Sequence, residues 1–385
     1  MKKRIDILDA LRGFSLLGIL IANMLYFQYD FVSLDAVQPD IWWDKVAYYF
    51  TKIFVEGSFV PIFGFLFGYG IILFARSLEN RELSTRGPLW RRAIGLVILG
   101  CLHITFVWDG DILLSYGSGL LIFMLFIKRK VKTMLIWAVV LTLCMMPILL
   151  VKTDFLAIIL TDMKETVDVL KNGTYLEVVK QRVSISDDLS IIFMVIVLPI
   201  MLGFMAIFSF FAMGPLVLLG MAAAKVDFFK RIGEKMDLLK RLSLLIPVGL
   251  LCKALLDMDH FVGELLYSVG TYMLAIGYIA AFTLVFISVK ENKISQAFVN
   301  LGRLSLTNYL MQSIICTTIF YGYGLGFFGE LGVALGLVIA VVVYSLQLLL
   351  ANWYGQRFSM GPVEWALRKF VYRKNFGARN EHNSE

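Results

Sequence analysis

Ten apolar runs follow one another along the chain, and their length decides what it can fold into. They cover residues 8–27, 51–75, 93–108, 111–127, 133–151, 190–222, 242–256, 264–288, 301–321 and 331–352. A helix needs about 20 mainly apolar residues to cross the hydrocarbon core of a bilayer. Runs of this kind predict an all-α, polytopic helical membrane protein of about ten transmembrane helices, with nine to eleven as the range. The third and fourth runs are short. The sixth is long enough to be tilted or broken, near Pro199 or Gly214–Pro215. Composition agrees: 59% of residues are hydrophobic and 17% charged, against about 25% charged in soluble domains. A soluble enzyme, a disordered chain and a secreted disulfide scaffold are excluded. Cys101, Cys144, Cys252 and Cys316 all sit in apolar runs without a C-x-x-C pair and read as packing residues.

The net charge of +7 could point to nucleic acid or to membrane topology, and the loops decide. Most of the 36 lysine and arginine residues fall in alternate loops: 2–4, 76–92, 128–132, 225–241, 290–303 and the tail from 357. The opposite loops carry Asp30, Asp35, Asp40 and Asp44, the stretch 152–188, and Asp257 and Asp259. By the positive-inside rule both termini are cytoplasmic, which an even number of spans allows. Nucleic acid drops out as a partner; the bilayer is the partner, and the location is the inner membrane. No small-residue cleavage site follows the first run, so that segment reads as a retained signal-anchor. The chain reads as one transmembrane domain, 1–385. Residues 152–188 form an amphipathic segment on the outer face, either lying at the membrane surface or acting as a substrate lid. Residues 353–385 form a cytoplasmic cap and tail.

A charged side chain in mid-bilayer costs about 2.5–3.5 kcal/mol on insertion scales, so polar residues inside runs need a partner or a function. Four clusters carry them. In the first, Asp9 and Arg12 lie i, i+3 on one helical face, and Asn23 follows about 16 Å further out. The pair reads as an inner-leaflet ion pair, or Arg12 meets an anionic group while Asn23 lines a cavity. In the second, Glu56 precedes a glycine-rich stretch in which Gly64 and Gly68 allow close helix packing. Glu56 reads as an ion pair with Lys52 or as part of a cavity wall. The third runs Gly100-Cys-Leu-His-Ile-Thr-Phe-Val-Trp-Asp-Gly-Asp111, with Tyr116 beyond it. His103 is the only histidine inside a run, close to Asp109 and Asp111. It reads as a hydrogen-bonded core residue or as a proton-transfer group; Asp111 also suits a helix cap. In the fourth, Arg303, Asn308 and Gln312 give the ninth run a polar face. No metal-ligand spacing, P-loop or G-x-S-x-G elbow is present.

At these clusters the chain resembles the YeiB-like family of bacterial multipass membrane proteins of unknown function. The matching stretches are Asp9-Ala-Leu-Arg-Gly-Phe with Asn23, Leu102-His-Ile-Thr-Phe-Val-Trp-Asp-Gly-Asp-Ile-Leu, Gly302-Arg-Leu-Ser-Leu-Thr-Asn-Tyr-Leu-Met-Gln-Ser and Gly361-Pro-Val-Glu-Trp. The amino-terminal third is also similar to transmembrane acyltransferases of the heparan-glucosaminide acetyltransferase kind. That resemblance implies transfer of an acyl group from cytoplasmic acyl-CoA, such as acetyl-CoA, to a sugar or other small acceptor, with no tightly bound cofactor. Asp9, Arg12, Gly13 and Asn23 match its D-x-x-R-G start and later Asn. Its histidine does not carry over, since no histidine stands between Met1 and Leu102. Either His103 holds that role or the chemistry is absent.

Three functions follow as expectations. In an acyltransferase, His103 would be the general base with Asp109 or Asp111, and Asn23 would face the acyl oxygen. Arg12 and Arg303 would hold phosphates, beside Asn308 and Gln312. In a transporter the same residues would bind a small solute, with His103 carrying protons. In a lipid-binding or regulatory protein they would only pack helices. The oligomeric state is not fixed by the sequence.

Overall fold

The computed structural model describes residues 5–33, 39–148, 164–183, 198–255, 260–290 and 292–372. Among these there is no strand, and every apolar run lies on helix. The helices are α1 (Asp6–Ser33), α2 (Trp42–Phe50), α3 (Phe59–Glu79), α4 (Arg86–Phe106), α5 (Leu113–Phe123), α6 (Val131–Ile148), α7 (Lys164–Asn172) and α8 (Tyr175–Val183). The second half holds α9 (Leu198–Lys225), α10 (Met236–Ser243), α11 (Leu245–Ala254), α12 (His260–Ser288), α13 (Lys293–Arg303), α14 (Ser305–Phe320), α15 (Val333–Gly355) and α16 (Pro362–Tyr372). Six segments are long and apolar enough to cross a membrane: Asp6–Tyr29, Trp42–Glu79, Arg86–Phe106, Leu202–Lys225, Val262–Ser288 and Val333–Gly355. Shorter apolar helices accompany them at Leu113–Phe126 and Val131–Cys144. The protein is a polytopic helical membrane protein.

α1 is the most enclosed of the six. Leu11, Leu16, Ile19, Leu20 and Met24 are all buried, because α3, α13, α14 and α15 pack around it. α9 joins α3 to α5 and α6, and α4 pairs with α5. The outward faces of α6, α9 and α15 expose Val139, Leu143, Phe204, Val341 and Leu349. Exposed leucine, valine and phenylalanine in that number suit lipid and not water.

Backbones approach closely where glycine allows it. A Cβ on Gly302 would stand 1.7 Å from the Asp9 carbonyl oxygen, and one on Gly13 2.4 Å from that of Phe298, so α1 and α13 meet main chain to main chain. Gly68 and Gly220 do the same for α3 and α9, each 1.9 Å from the facing carbonyl oxygen. Gly64, the other half of the expected small-residue pair, has ordinary contacts.

Three runs depart from simple spans. The second breaks: α2 continues into a π-turn at Thr51–Val55, then Gly57 turns the chain at φ +71° before α3 begins. The sixth does not break at Gly214–Pro215; α9 runs through Pro215, as membrane helices allow when neighbours satisfy the freed carbonyl. Residues 190–197 of that run lie outside the described residues. The seventh is a ten-residue helix, α11, about 15 Å long and so half a bilayer. The ninth divides at Leu304 into α13 and α14. Glu364 of α16 makes that division stable: its carboxylate accepts the Leu306 and Thr307 N–H groups at 2.7 and 3.1 Å and the Thr307 hydroxyl at 2.5 Å. Two free amides of the first α14 turn are thereby satisfied.

Of the expected outer segment 152–188, the part described forms α7 and α8. Thr174 and Glu177 close a capping box between them, with the Thr174 N–H donating to Glu177 at 2.8 Å. Those bonds to Thr174 hold the Glu177 carboxyl below its ordinary range. The expectations for Lys2–Arg4, the Asp30 side chain, Asp35, Asp257, Asp259 and the tail beyond Tyr372 lie outside the described residues.

Candidate functional site

The third cluster folds into a buried dyad. His103 lies in the last turn of α4, and the chain reverses through residues 107–112 to start α5. Gly100, one turn before His103, lets the start of α5 come close: a Cβ there would meet the Leu114 nitrogen at 2.5 Å. The reversal brings Asp111 back onto His103, with Nδ1 and Oδ2 2.8 Å apart. Both side chains are at most 1% exposed. The other Asp111 oxygen accepts the Leu114 N–H at 2.6 Å, so one carboxylate caps α5 and orients the imidazole. A carboxylate only accepts, so Nδ1 carries a proton and donates, and in the neutral imidazole Nε2 holds the lone pair. Nε2 is buried and meets no hydrogen-bond partner among the described residues.

Tyr309 of α14 closes the site. Its ring centre lies 5.4 Å from that of His103. Its hydroxyl donates to the Gly110 carbonyl at 3.2 Å and accepts the Ile112 N–H at 3.3 Å, which pins the reversal. Trp108, fully buried, packs on Phe27 of α1 with ring centres 4.1 Å apart. Asn23 is one helical turn inward of Phe27 on the same face of α1 and is half-buried. Asp109 does not join the dyad. It pairs with Arg182 of α8 at 3.3 Å, while Tyr175 donates to the Phe106 carbonyl at 2.9 Å. Thus α8 is latched over the turn beside His103. Tyr116 is buried too, but its hydroxyl donates to Val60 of α3.

The remaining candidates gather elsewhere. At the inner end Arg12 pairs with Asp9 at 2.8 Å. Arg303 lies 3.4 Å from Asp6 and 3.8 Å from Asp9. Gln312 donates to Gln347 of α15 at 2.8 Å, and Gln347 donates back to the Asn308 carbonyl at 3.0 Å; these amides clamp α14 to α15. Thr307 and Asn308 also border a mostly apolar cavity of about 190 Å³ with Met311, Leu350, Tyr354 and Pro362.

Glu56, at the break between α2 and α3, accepts from Tyr26 at 3.0 Å and Tyr267 at 3.2 Å and pairs with Lys52 at 3.0 Å. Its backbone carbonyl accepts from Lys253 at 2.6 Å. Lys253, wholly buried, also donates to Ser58 and lies 4.5 Å from the Tyr267 ring centre. Sequence reasoning missed Tyr309 and Lys253. Lys253 was visible as the one basic residue near the end of the seventh run. Tyr309 was hidden among the more polar Thr307, Asn308 and Gln312.

Comparison with known proteins now places the chain. Residues 223–374 match the family described as "Protein of unknown function (DUF418)". The chain is 31% identical over 388 residues to "Uncharacterized protein YxaH" of Bacillus subtilis, covering 96% of this chain and 94% of that protein. It is 27% identical to "Uncharacterized protein YeiB" of Escherichia coli, covering 95% and 96%. It is 25% identical to "Uncharacterized 39.9 kDa protein in amylase 3'region" of Bacillus acidopullulyticus, covering 98% and 96%. No solved structure matches. The likeness thus runs end to end, and the chain belongs to the YeiB-like, DUF418 family of helical membrane proteins.

Proposed function

We propose that this protein transfers an acyl group from a cytoplasmic acyl-CoA to an acceptor at or across the membrane, with His103 as general base. One observation carries the proposal: a buried histidine fixed through Nδ1 by Asp111, with Nε2 left unpartnered. A side chain held in that tautomer can take a proton through Nε2. In the step, Nε2 removes the proton of an acceptor hydroxyl or amine. The freed oxygen or nitrogen attacks the thioester carbonyl, the carbon–sulfur bond breaks, and the CoA sulfur leaves with the proton from His103. The Asn23 amide would donate to the acyl oxygen as charge develops there. His103 is closed in, so the acceptor enters when α8 releases its Arg182–Asp109 contact.

A second reading is favoured by Lys253 and Glu56. A buried amine and a carboxylate at a helix break are the kind of intramembrane polar centre that binds or couples solutes in transporters. The two readings separate in proteoliposomes supplied with labelled acetyl-CoA and a mixture of sugars and amines. The expected result is release of free CoA thiol and label transfer, both falling at least about 100-fold in His103→Ala. Labelled solute uptake lost in the same variant, with no CoA released, would replace the acyltransferase by the transporter. Unchanged turnover in His103→Ala would end the proposal.

A further inference from the structure

Arg92 has no place in the dyad, the inner ion pairs or the glycine contacts. It lies in the second turn of α4, partly exposed. Its guanidinium carbon stands 5.8 Å from the Phe67 ring centre and 5.3 Å from that of Phe74. Among the described residues no carboxylate pairs with it, and another cation, Arg12, is close enough to act on its charge. Arg12 reaches the same place from α1: a Cβ on Gly70 would stand 3.6 Å from its Nη2. Phe67, Gly70 and Phe74 follow at i, i+3 and i+7 and share one face of α3. Two guanidinium groups therefore converge on a strip with an aromatic ring at each end and a glycine between.

Charge does not balance there. Among the described residues, Arg12 and Arg303 pair with two carboxylates, Asp6 and Asp9, with Asp9 shared between them, and Arg92 pairs with none. Like charges held together at the edge of a low-dielectric region repel unless an anion lies between them. Arg12 is 27% exposed and Arg92 is partly exposed, so neither group is sealed in the core. Guanidinium forks match phosphate oxygens in geometry, and two of them suit a doubly charged group.

We infer that Arg12 and Arg92 form an anion site at the inner end of α1 and α4 that binds a phosphate group, with Arg92 its principal residue. The phosphate belongs either to a soluble phosphorylated ligand or to an anionic lipid headgroup. Arg12 and Asn23, and Arg92 and His103, are each eleven residues apart on helices that both run outward, a rise of about 16 Å. A long ligand held here by its phosphate would thus present its far end at the depth of His103. That extension rests on the acyl-transfer reading; the anion site does not.

The test uses the full chain in nanodiscs and two probes. Inorganic pyrophosphate is titrated in discs of phosphatidylcholine alone. Phosphatidylglycerol retention is measured by native mass spectrometry from mixed discs. Wild type is expected to bind at least one probe. Arg92→Gln should weaken that binding at least tenfold, Arg92→Lys less, and Lys290→Gln, in a separate inner loop, not at all. Pyrophosphate binding assigns a soluble ligand, and selective lipid retention assigns a headgroup. Arg92→Gln removes a charge that has no carboxylate partner, so the variant should fold, and its melting temperature checks this. Equal binding by folded Arg92→Gln, or no binding of either probe by wild type, overturns the site. Phosphate binding that persists in a chain without acyl-CoA turnover would keep the site and sink the acyltransferase.

Discussion

Asp111→Asn is expected to lower acyl-CoA turnover by roughly 10²–10⁴-fold while leaving the fold intact. The Leu114 N–H donates to one side-chain oxygen of Asp111 at 2.6 Å, and only the amide oxygen of Asn can take that place. Its NH2 group must then face His103 Nδ1, now 2.8 Å from an oxygen. A donor there forces Nδ1 to accept and moves the proton to Nε2, so the base loses its lone pair. The helix cap survives, so stability should change by no more than about 1 kcal/mol. CoA release in proteoliposomes and thermal unfolding in the same preparation check both halves. A large loss of stability with the activity loss would mean that Asp111 only holds the turn together.

Gly302→Ala is the substitution expected to cost most in stability, about 3 kcal/mol or more. Its Cβ would stand 1.7 Å from the Asp9 carbonyl oxygen and 2.9 Å from the Gly13 nitrogen, all main-chain atoms that cannot rotate away. α1 and α13 must separate, disturbing Arg303, which faces Asp6 and Asp9 across that contact. Gly203→Ala is the control, since nothing lies within 4 Å of the added atom. Melting temperature and folded yield should fall sharply for the first and hold for the second. Equal behaviour of the two would show that the α1–α13 contact is not close-packed.

What the sequence made legible was local. Apolar length found the long helices, a three-residue spacing found Asp9–Arg12, and the turn after His103 offered it Asp109 or Asp111. The dyad is legible because a tight reversal joins its two helices. The unread parts depend on contacts between distant segments. Asp109 and Asp111 look equivalent along the chain, and only Arg182 of α8, reaching Asp109, separates them. The ninth run reads as one span because no proline interrupts it; the division at Leu304 is sustained by Glu364 of α16. Along the chain Arg92 is one of many inner-loop charges, and that no described carboxylate pairs with it appears only when α1, α3 and α4 are assembled. Lys253 stands out along the seventh run, but its role does not, since its acceptors come from the break between α2 and α3.

The central claim is that Asp111 holds His103 with the proton on Nδ1 and the lone pair on Nε2. The chain has three histidines, His103, His260 and His382, which makes them separable by solid-state NMR of ¹⁵N-histidine-labelled protein, with His103→Gln subtracting the signal of interest. The spectrum to read is that of the neutral imidazole. The account predicts a protonated Nδ1 and an unprotonated, weakly hydrogen-bonded Nε2 for His103. A proton on Nε2 instead would contradict it.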